Sequence, residues 1–272
     1  MMKFVYPEIT LKKGREEALL RGHPWIFSGA IAAVKGNPAA GDIVLAKDAA
    51  GKNQALGFYN PLTDIAFRVL TRRCGENISQ YFWQSRVHDA YKLRRRIIGD
   101  QTNAYRLINA EGDGFPGLIV DVYHQTLVFS IATAGMEKQK DHILKALISQ
   151  LKPKWIYEQS DSQSRRLEGL DNRRGTALGE DDPSTVEIME NGLKFVVDVV
   201  SGQKTGFFLD QRVNREKIGA LSKEAHVLNC FAYTGAFSVY CAEGGAIRVV
   251  SLDISKPACA AARKNLLLNW FS

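Results

Sequence analysis

The sequence predicts an α/β multidomain protein built from three parts. They are a β-rich, barrel-like unit over residues 1–74, a central α/β domain with a linker over 75–185, and part of a doubly wound α/β domain over 186–272. Three observations predict this order. Short apolar runs bounded by Gly, Pro, Asn and Asp fill the first part, strand and helix patterns alternate in the second, and a strand–helix–strand repeat lies in the third.

The composition is that of an ordinary globular protein. The chain has 272 residues, of which 45% are hydrophobic and 24% charged, enough for two or three domains with buried cores. No apolar run approaches the ~18 residues of a membrane span, and the first residues show no cleavable export signal. We therefore expect a cytoplasmic location and no membrane partner.

The four cysteines form no recognisable site. They lie far apart without a Cys-x-x-Cys pair, so the sequence indicates neither a zinc site nor a disulfide framework, and we expect no metal. We expect reduced and mostly packed thiols. Cys230, at a predicted strand end, is the one candidate for a reactive cysteine.

The positive charge lies at the start of the chain. The net charge is +7, and residues 1–100 hold 16 Lys and Arg against 9 Asp and Glu, whereas residues 101–272 hold 20 of each sign. A basic surface confined to one part is typical of contact with a phosphate backbone, with a merely solvated basic surface as the alternative. The candidates for RNA contact are Lys12, Lys13, Arg15, Arg21, His23, Arg94 and Arg95.

Two alternatives stay open for this RNA surface. Trp25 and Phe27, in the segment RGHPWIF, could stack bases, but we expect both rings to belong to the core. Arg94–Arg96 lie near the end of a predicted helix, where cations also complement the helix dipole. That cluster is equally well explained by helix-terminal charge and by RNA contact.

Hydrophobic periodicity and turn residues give the elements of the first two parts. Strands are predicted over Val5–Leu11, Gly41–Ala46, Ala55–Tyr59, Ile65–Leu70, Tyr105–Asn109, Leu118–Val122, Thr126–Ile131 and Trp155–Glu158. Helices are predicted over Asn77–Ile98 and Met136–Leu151. The motif EGDGFPG at 111–117 predicts a turn in which Asp113 is a turn residue rather than a catalyst, and the polar residues 161–185 predict a loop or linker.

The third part begins with a hairpin, Val186–Glu190 and Leu193–Val199 joined by Asn191-Gly192, and the motif GQKTGFFLDQR at 202–212 precedes a helix. The β–α–β unit that follows consists of a buried, parallel-type strand, a FAYTG turn, a helix, a second strand and a third helix capped by Ser255. These elements are predicted over Val227–Cys230, Ala236–Glu243, Arg248–Leu252 and Lys256–Asn269.

The end of the β–α–β unit predicts an adenosine site. Ligands of such units bind at the carboxyl ends of the strands, where Asp253 could accept hydrogen bonds from ribose hydroxyls. Nicotinamide, flavin and S-adenosylmethionine binders share this feature. The loop from Asn229 to Ser238 has only Gly235, whereas a dinucleotide needs Gly-x-Gly-x-x-Gly, so Tyr233, Thr234 and Asn229 better suit the amino-acid moiety of S-adenosylmethionine. Phe237 is equally well explained as core.

Several motifs together resemble the PUA-domain class of bacterial S-adenosylmethionine-dependent large-subunit ribosomal RNA methyltransferases, particularly the cytosine-5 group. They are RGHPWIFSGAI, LGFYNP, EGDGFPGLIVD, GQKTGFFLDQRVNR, LNCFAYTGAFSVYCAEGGA and SLDIS. The resemblance implies a PUA-like RNA-binding domain, a central α/β domain beside the RNA cleft, a partial Rossmann-like methyltransferase domain, and ribosomal RNA as partner. The residues it assigns to the cofactor are Phe208, Asp210, Arg212, Phe231 to Gly235, and Asp253, beside Asn229 and Ser255 from the pattern above.

The chain departs from this family at its end. Family members continue with a DPP-type motif and, in the cytosine-5 group, a later Cys nucleophile that attacks carbon 6 of the base. Neither motif is present, so we expect a fragment that is inactive alone, and no residue here is assigned that step. The target base, cytosine or guanine, stays open.

Two other functions remain as alternatives. The chain could be an RNA-binding module without catalysis, and a nucleotide-dependent oxidoreductase is disfavoured by the glycine-poor loop. We also expect exposed apolar surface near Val249, Leu266, Leu267 and Trp270 to favour self-association, with a homodimer as one form.

Overall fold

The computed structural model describes residues 6–181 and 183–271. Its first unit is a six-stranded sheet with the order β2-β6-β5-β4-β1-β3, in which only β1 and β4 are parallel. The strands are β1 (Glu8–Leu11), β2 (Trp25–Ile26), β3 (Ile31–Lys35), β4 (Asp42–Lys47), β5 (Asn53–Tyr59) and β6 (Phe67–Thr71), with the short helix α1 (Glu17–Leu20) after β1. Bulges in three strand pairs bend the sheet around a core that includes Ile9, Leu11, Val44 and Phe67.

The prediction of a barrel-like β unit is confirmed, with two strands added. Sequence patterns missed β2 because it is two residues long, and β3 because its side chains are mostly exposed and show no apolar alternation. Val5, the predicted start of the first strand, lies outside the described residues.

The central unit is a five-stranded sheet with the order β11-β10-β9-β8-β7. Its strands are β7 (Ala104–Asn109), β8 (Leu118–Tyr123), β9 (Thr126–Ile131), β10 (Trp155–Ser160) and β11 (Arg173–Leu178). Its helices are α2 (Gln80–Ile97), α3 (Ala134–Lys138), α4 (Lys140–Leu151) and α5 (Gln163–Leu167). Helices α2 and α4 pack together, and Trp83 and Leu147 join Leu107, Val120 and Phe129 of the sheet in one core.

One prediction for the central unit is confirmed except at a single residue, and another is wrong. The helix expected over Met136–Leu151 is two helices separated at Gln139. Residues 161–185, expected as a loop or linker, contain α5 and β11. The polar pattern hid them because β11 is an edge strand with Arg173 and Arg174 exposed, and because the buried Arg165 on α5 donates to the carbonyl of Ile131 and to Glu137.

The third unit starts with the predicted hairpin and ends with the predicted β–α–β unit. Its elements are β12 (Thr185–Glu190), β13 (Leu193–Asp198), α6 (Arg212–Ala220), β14 (His226–Cys230), α7 (Ala236–Glu243), β15 (Arg248–Leu252) and α8 (Lys256–Leu268). Asn191 and Gly192 both have positive φ, as a tight hairpin turn requires. Strands β14 and β15 are parallel, and the Ser255 hydroxyl caps α8 by accepting the N–H of Ala258.

One prediction for β14 is wrong. The strand was expected to be buried, but α7 and α8 cover one face of the β14–β15 pair and leave the other open, so Leu228 is 63% and Leu252 58% exposed. Of the residues expected to be exposed, Leu267 and Trp270 are, whereas Val249 and Leu266 are half-buried because they point toward the helices and the hairpin.

The hairpin places the third unit against the central sheet. Tyr123 and Val128 of the central sheet share a core with Phe195 and Val197 of β13 and with Val239 of α7. The domain boundaries at 74/75 and 185/186 stay a prediction. In the described part of the chain, none of the helices combines the length and apolar character needed to cross a membrane.

Candidate cofactor site

The carboxyl ends of β14 and β15 lie side by side, with the loop 231–235 following β14. The loop has a left-handed backbone at Phe231, Tyr233 and Gly235, so it turns back sharply before α7. A Cβ added to Gly235 would lie 2.6 Å from the Cβ of Ala262. The glycine therefore lets the start of α7 pack directly on α8.

Asp253 follows β15 and is held by this loop. Its Oδ2 accepts the backbone N–H of Tyr233 at 2.8 Å, and its Oδ1 accepts that of Ser255 at 2.9 Å. These backbone donors, that of Ser255 foremost, hold the pKa of Asp253 below its ordinary value. The carboxylate is therefore ionised near neutral pH and has lone pairs left to accept ligand hydroxyls.

A cavity of about 260 Å³, called the aromatic cavity below because five of its ten lining residues are aromatic, opens beside the loop. The rings of Phe208 and Tyr233 meet edge to face, with centroids 5.5 Å apart. The cavity is lined by Phe207, Phe208, Gln211, Arg215, Phe231, Ala232, Tyr233, Thr234, Ala236 and Phe237.

Arg215, which lines the cavity, belongs to a buried ion pair. Arg215 donates to both carboxylate oxygens of Glu190, at 2.8 and 2.7 Å, and to the carbonyl of Phe208. Its guanidinium lies over the ring of Phe207 and is neutralised by Glu190, which also accepts from the hydroxyl of Tyr240. Sequence reasoning missed this pair because the two charged residues are 25 positions apart on different elements.

The segment 202–206, the GQKTG turn, lies between the central sheet and the loop 231–235. The Thr205 hydroxyl donates to Asp121 on β8, and the Tyr233 hydroxyl accepts the N–H of Gln203 and donates to the carbonyl of Gly206. The motif itself was visible in the sequence, but the partnership of Thr205 with Asp121, 84 residues away, was not.

The structure brings most of the predicted cofactor residues together. Phe208, Phe231, Tyr233 and Thr234 line the aromatic cavity, and Gly235, Asp253 and Ser255 lie next to it along the loop and after β15. Asn229 is used differently, since its side chain donates to Ser238, whose hydroxyl meets that of Ser251. The Asn229 side chain thus links β14 to α7 and, through Ser238, to β15.

Asp210 and Arg212 are not part of this cavity. Both line a separate hollow of about 340 Å³ beside Arg94, Arg106 and Asn109. Asp210 lies 3.5 Å from the Lys204 ammonium. The turn Leu209–Gln211 places these two side chains in the hollow lined by Arg94 of α2 and Arg106 of β7.

The predicted RNA contacts divide into two groups. Lys12, Lys13, Arg15, Arg21 and His23 are exposed on the first unit. Arg94 instead makes a bidentate ion pair with Asp113 at 2.6 Å, and Arg95 pairs with the exposed Asp100. Arg94 thus stabilises the turn 110–113, which supports the prediction that Asp113 is a turn residue.

The two aromatic residues near this surface also differ. Trp25 is half-buried, donates its indole N–H to Glu111 and lies beneath Arg68, so it is part of the junction with the central unit. Phe27 is 52% exposed, and the expectation that it belongs to the core is wrong. Its place at the start of a 3₁₀ turn directs the ring outward.

All four cysteines are free, and Cys230 and Cys259 are exposed, so the expectation of mostly packed thiols holds only for Cys241 and partly for Cys74. The residues that the structure describes contain no group of three or more His, Cys, Asp or Glu side chains placed to hold a metal ion.

Two family models match the chain. A PUA-like domain matches residues 9–72, and an S-adenosylmethionine-dependent methyltransferase matches residues 118–272. The chain is 44% identical over 266 residues to "Ribosomal RNA large subunit methyltransferase I" of Vibrio cholerae, covering 97% of this chain and 67% of the relative. The proteins of that name from Vibrio vulnificus and Alteromonas mediterranea are 44% and 39% identical, each covering 97% of this chain and 66% of the relative.

Solved structures agree on the fold. A candidate S-adenosylmethionine-dependent methyltransferase from Streptococcus mutans superposes with a TM-score of 0.81 at 24% identity, covering 97% of this chain and 68% of the other. A candidate methyltransferase complexed with SAH gives 0.82 at 23% identity, covering 97% and 67%. The chain belongs to the S-adenosylmethionine-dependent methyltransferase family and carries a PUA-like domain ahead of the methyltransferase match. It spans about two thirds of the length of the relatives named above.

Proposed function

We propose that this chain binds S-adenosylmethionine at Asp253 and the loop 231–235, and docks ribosomal RNA through its first unit, as part of a methyltransferase that forms 5-methylcytosine in the large-subunit RNA. The observation that carries the proposal is the Asp253 carboxylate, held by the Tyr233 and Ser255 N–H groups beside the aromatic cavity. The names of the relatives support the RNA class, and the motif resemblance supports cytosine.

The donor set suits this cofactor better than a dinucleotide. A carboxylate with lone pairs to spare can accept both ribose hydroxyls, and the aromatic rings of Phe208 and Tyr233 favour a neighbouring cation over a phosphate. The loop between β14 and α7 has a single glycine and no second close-approach position for a pyrophosphate. When bound, S-adenosylmethionine supplies a methyl group on a positively charged sulfur.

The chain's own residues have distinct tasks in this proposal. Asp253 orients the ribose, and Ile254, which follows it and is fully exposed, offers an apolar surface to the adenine. Phe208 and Tyr233 keep water from the cavity, and Thr234 contributes a hydroxyl at its edge. Asp210 and Arg212, which line the other hollow, are assigned no contact with the cofactor.

The RNA part rests on the exposed cations of the first unit. Lys12 is fixed by its bond to the carbonyl of Gly29, while Lys13 and Arg15 extend from the same stretch, so the three cations form one basic edge. Cations of this kind bind a phosphate backbone and release counterions, which makes the affinity depend steeply on salt.

The RNA docking is tested by fluorescence anisotropy with a large-subunit RNA fragment. The triple variant Lys12→Gln, Lys13→Gln, Arg15→Gln is expected to lower the salt slope of binding by about two to three, one for each lost phosphate contact. Lys223→Gln, an exposed cation of the third unit, is the matched control. An unchanged slope in the triple variant would remove the first unit from the RNA site.

The methylation itself is tested by nucleoside mass spectrometry of RNA treated with the protein that is encoded by the whole reading frame containing this chain. The expected product is 5-methylcytidine. A methylated guanine would contradict the proposal that cytosine is the target base. RNA affinity without adenosylhomocysteine affinity would favour the alternative, an RNA-binding module without catalysis. That this chain alone transfers no methyl group stays a prediction, to be checked in the same assay.

The cytoplasmic location and the homodimer also stay predictions. Fractionation of cells and sedimentation of the purified chain test them in turn.

A further inference from the structure

The GQKTG turn, residues 202–206, contributes no side chain to the aromatic cavity among the residues that the structure describes. It nevertheless lies between two parts that the proposed function requires to act together. On one side is the central sheet, and on the other is the loop that carries Tyr233.

The central sheet holds the turn through a buried hydroxyl. Thr205 is buried, and its Oγ1 donates to Oδ2 of Asp121 at 2.6 Å. Asp121 is itself fully buried on β8, and both of its oxygens accept from Arg106, at 2.8 and 3.0 Å. The Thr205 proton is thereby committed to Asp121.

Tyr123 completes this attachment. Its hydroxyl lies 2.8 Å from the Thr205 oxygen, and because the only hydroxyl proton of Thr205 goes to Asp121, Tyr123 is the donor. Burial foremost, and then the charge of Asp121, raise the pKa of Tyr123, so it keeps the proton it donates. The Thr205 hydroxyl, the one polar group of that side chain, therefore donates to one residue of β8 and accepts from another.

Tyr233 holds the turn from the other side. Its hydroxyl accepts the N–H of Gln203 at 3.0 Å and donates to the carbonyl of Gly206 at 3.2 Å. Its own backbone N–H donates to Asp253. Hydrogen bonds thus join Asp121 to the turn, the turn to the Tyr233 ring, and the Tyr233 backbone to Asp253.

The turn has little freedom to rearrange between these attachments. A Cβ added to Gly202 or Gly206 would lie 2.2 or 2.6 Å from the carbonyl oxygen of Asp198 at the end of β13. Gly206 also has a φ of +117°, which other residues rarely adopt. The turn therefore packs tightly on the hairpin and acts as a rigid link between Thr205 and Tyr233.

We infer that Thr205 and Asp121 are positioning residues for the cofactor: through the GQKTG turn they fix the ring of Tyr233, and with it the loop and Asp253, in the arrangement that binds adenosine. Neither residue touches the cofactor. The inference rests on the proposed function, because it assumes that Asp253 and the loop 231–235 are the cofactor site.

The test is calorimetric titration of adenosylhomocysteine into three variants, at a temperature where circular dichroism shows each fully folded. Thr205→Val keeps the shape and removes the hydroxyl, and we expect about tenfold weaker binding, the size of one hydrogen bond to a charged group. Thr205→Ser restores the hydroxyl and should bind within about twofold of the unaltered chain. Tyr233→Phe cuts the bonds on the other side of the turn.

A double variant separates positioning from a general loss of stability. If both residues act through one turn, Thr205→Val and Tyr233→Phe together should cost less than the product of their separate effects on affinity. Ser222→Ala is the matched control, because it removes a buried hydroxyl that donates to Ile218 in α6, away from the turn. It should lower the melting temperature and leave affinity unchanged.

Three results would overturn the inference while the unaltered chain still binds: unchanged affinity in Thr205→Val, equal loss in Thr205→Ser, or fully multiplicative losses in the double variant. Failure of the unaltered chain to bind adenosylhomocysteine would overturn the proposed function, and this inference with it.

Discussion

Asp253 has the environment of a carboxylate that must stay charged. Backbone N–H groups from Ser255 and Tyr233 hold its pKa below the ordinary 3.8. A carboxyl group whose pKa is lowered in the folded state stabilises the fold above its unfolded pKa, and loses this contribution as the pH falls through the folded pKa.

The pH dependence of cofactor binding follows from the lowered pKa of Asp253. We expect the affinity for adenosylhomocysteine to be flat between about pH 5 and about pH 8 and to fall only in more acidic solution, where Asp253 takes up a proton. Calorimetric titration across this range checks it. A loss of affinity centred near neutral pH would show that some other group controls binding.

The Arg215–Glu190 pair is expected to matter for stability rather than for ligand charge. Arg215→Met leaves the buried Glu190 without its partner, which should cost about 3–5 kcal/mol in the free energy of unfolding. Urea denaturation measures it. The control Arg95→Met removes an exposed ion pair with Asp100 and should cost at most about 1 kcal/mol.

Substitution of Arg212 tests which of the two hollows binds the cofactor. Because it lines the hollow beside Arg94 and Arg106, Arg212→Ala should leave adenosylhomocysteine affinity within about twofold, whereas Phe208→Ala, in the aromatic cavity, should weaken it about tenfold or more. Calorimetric titration of adenosylhomocysteine into both variants measures the two affinities. A larger loss of affinity in Arg212→Ala than in Phe208→Ala would show that Arg212 belongs to the cofactor site.

At the scale of elements, the short helix α5 and the residues after it attach the first unit to the central sheet. Glu168 is buried just after α5, and it accepts from Asn60 and Arg68 of the first unit and from the N–H of Ala134 on α3. Arg68 also pairs with Glu111, which accepts from Trp25. The segment predicted as a linker therefore carries the main polar junction.

Removal of this junction should loosen the first unit. Glu168→Ala removes the buried carboxylate that accepts hydrogen bonds from Arg68 and Asn60. We expect the free energy of unfolding to fall by about 2–4 kcal/mol. Limited proteolysis should then cut faster between β6 and α2. The exposed Glu180→Ala is the control, and equal cleavage rates for the two variants would contradict this account of the junction.

The elements that the sequence predicted well are those whose pattern is local. The hairpin at Asn191-Gly192, the cap of α8 at Ser255 and the β–α–β order depend on neighbours in the chain, so turn chemistry and periodicity were sufficient. Helix α5 and strand β11 were missed because they are stabilised by distant partners, such as Arg165 reaching the carbonyl of Ile131.

The candidate site divides in the same way. Asp253 and Tyr233 lie at strand ends that the periodicity locates, so their nearness could be predicted. The separation of Arg212 from Phe208 could not, because four residues of 3₁₀ and helical turn decide which way each side chain points. The attachment of Thr205 to Asp121 joins two motifs whose contact no local pattern indicates.

At the scale of the whole molecule, the open face of β14 and β15 is an exposed apolar surface of the third unit. Leu228 lies opposite Val250, and Leu252 lies on the same face, with all three exposed. Apolar patches of this kind promote association. We expect sedimentation to show self-association that rises with concentration.

A charged substitution tests this surface. Leu228→Lys should shift the chain toward the monomer, whereas Leu20→Lys, an equally exposed leucine on the first unit, should not. A monodisperse monomer over the full concentration range, before any substitution, would contradict the expectation.

We propose that Asp253 and the loop 231–235 form an S-adenosylmethionine site in this chain. It is tested most directly by calorimetric titration of adenosylhomocysteine into the chain and into Asp253→Asn, which keeps the size of the side chain and removes its charge. We expect binding at one site by the unaltered chain, and at least about tenfold weaker binding by the variant. Equal binding by both, or preference for a nicotinamide dinucleotide, would contradict it.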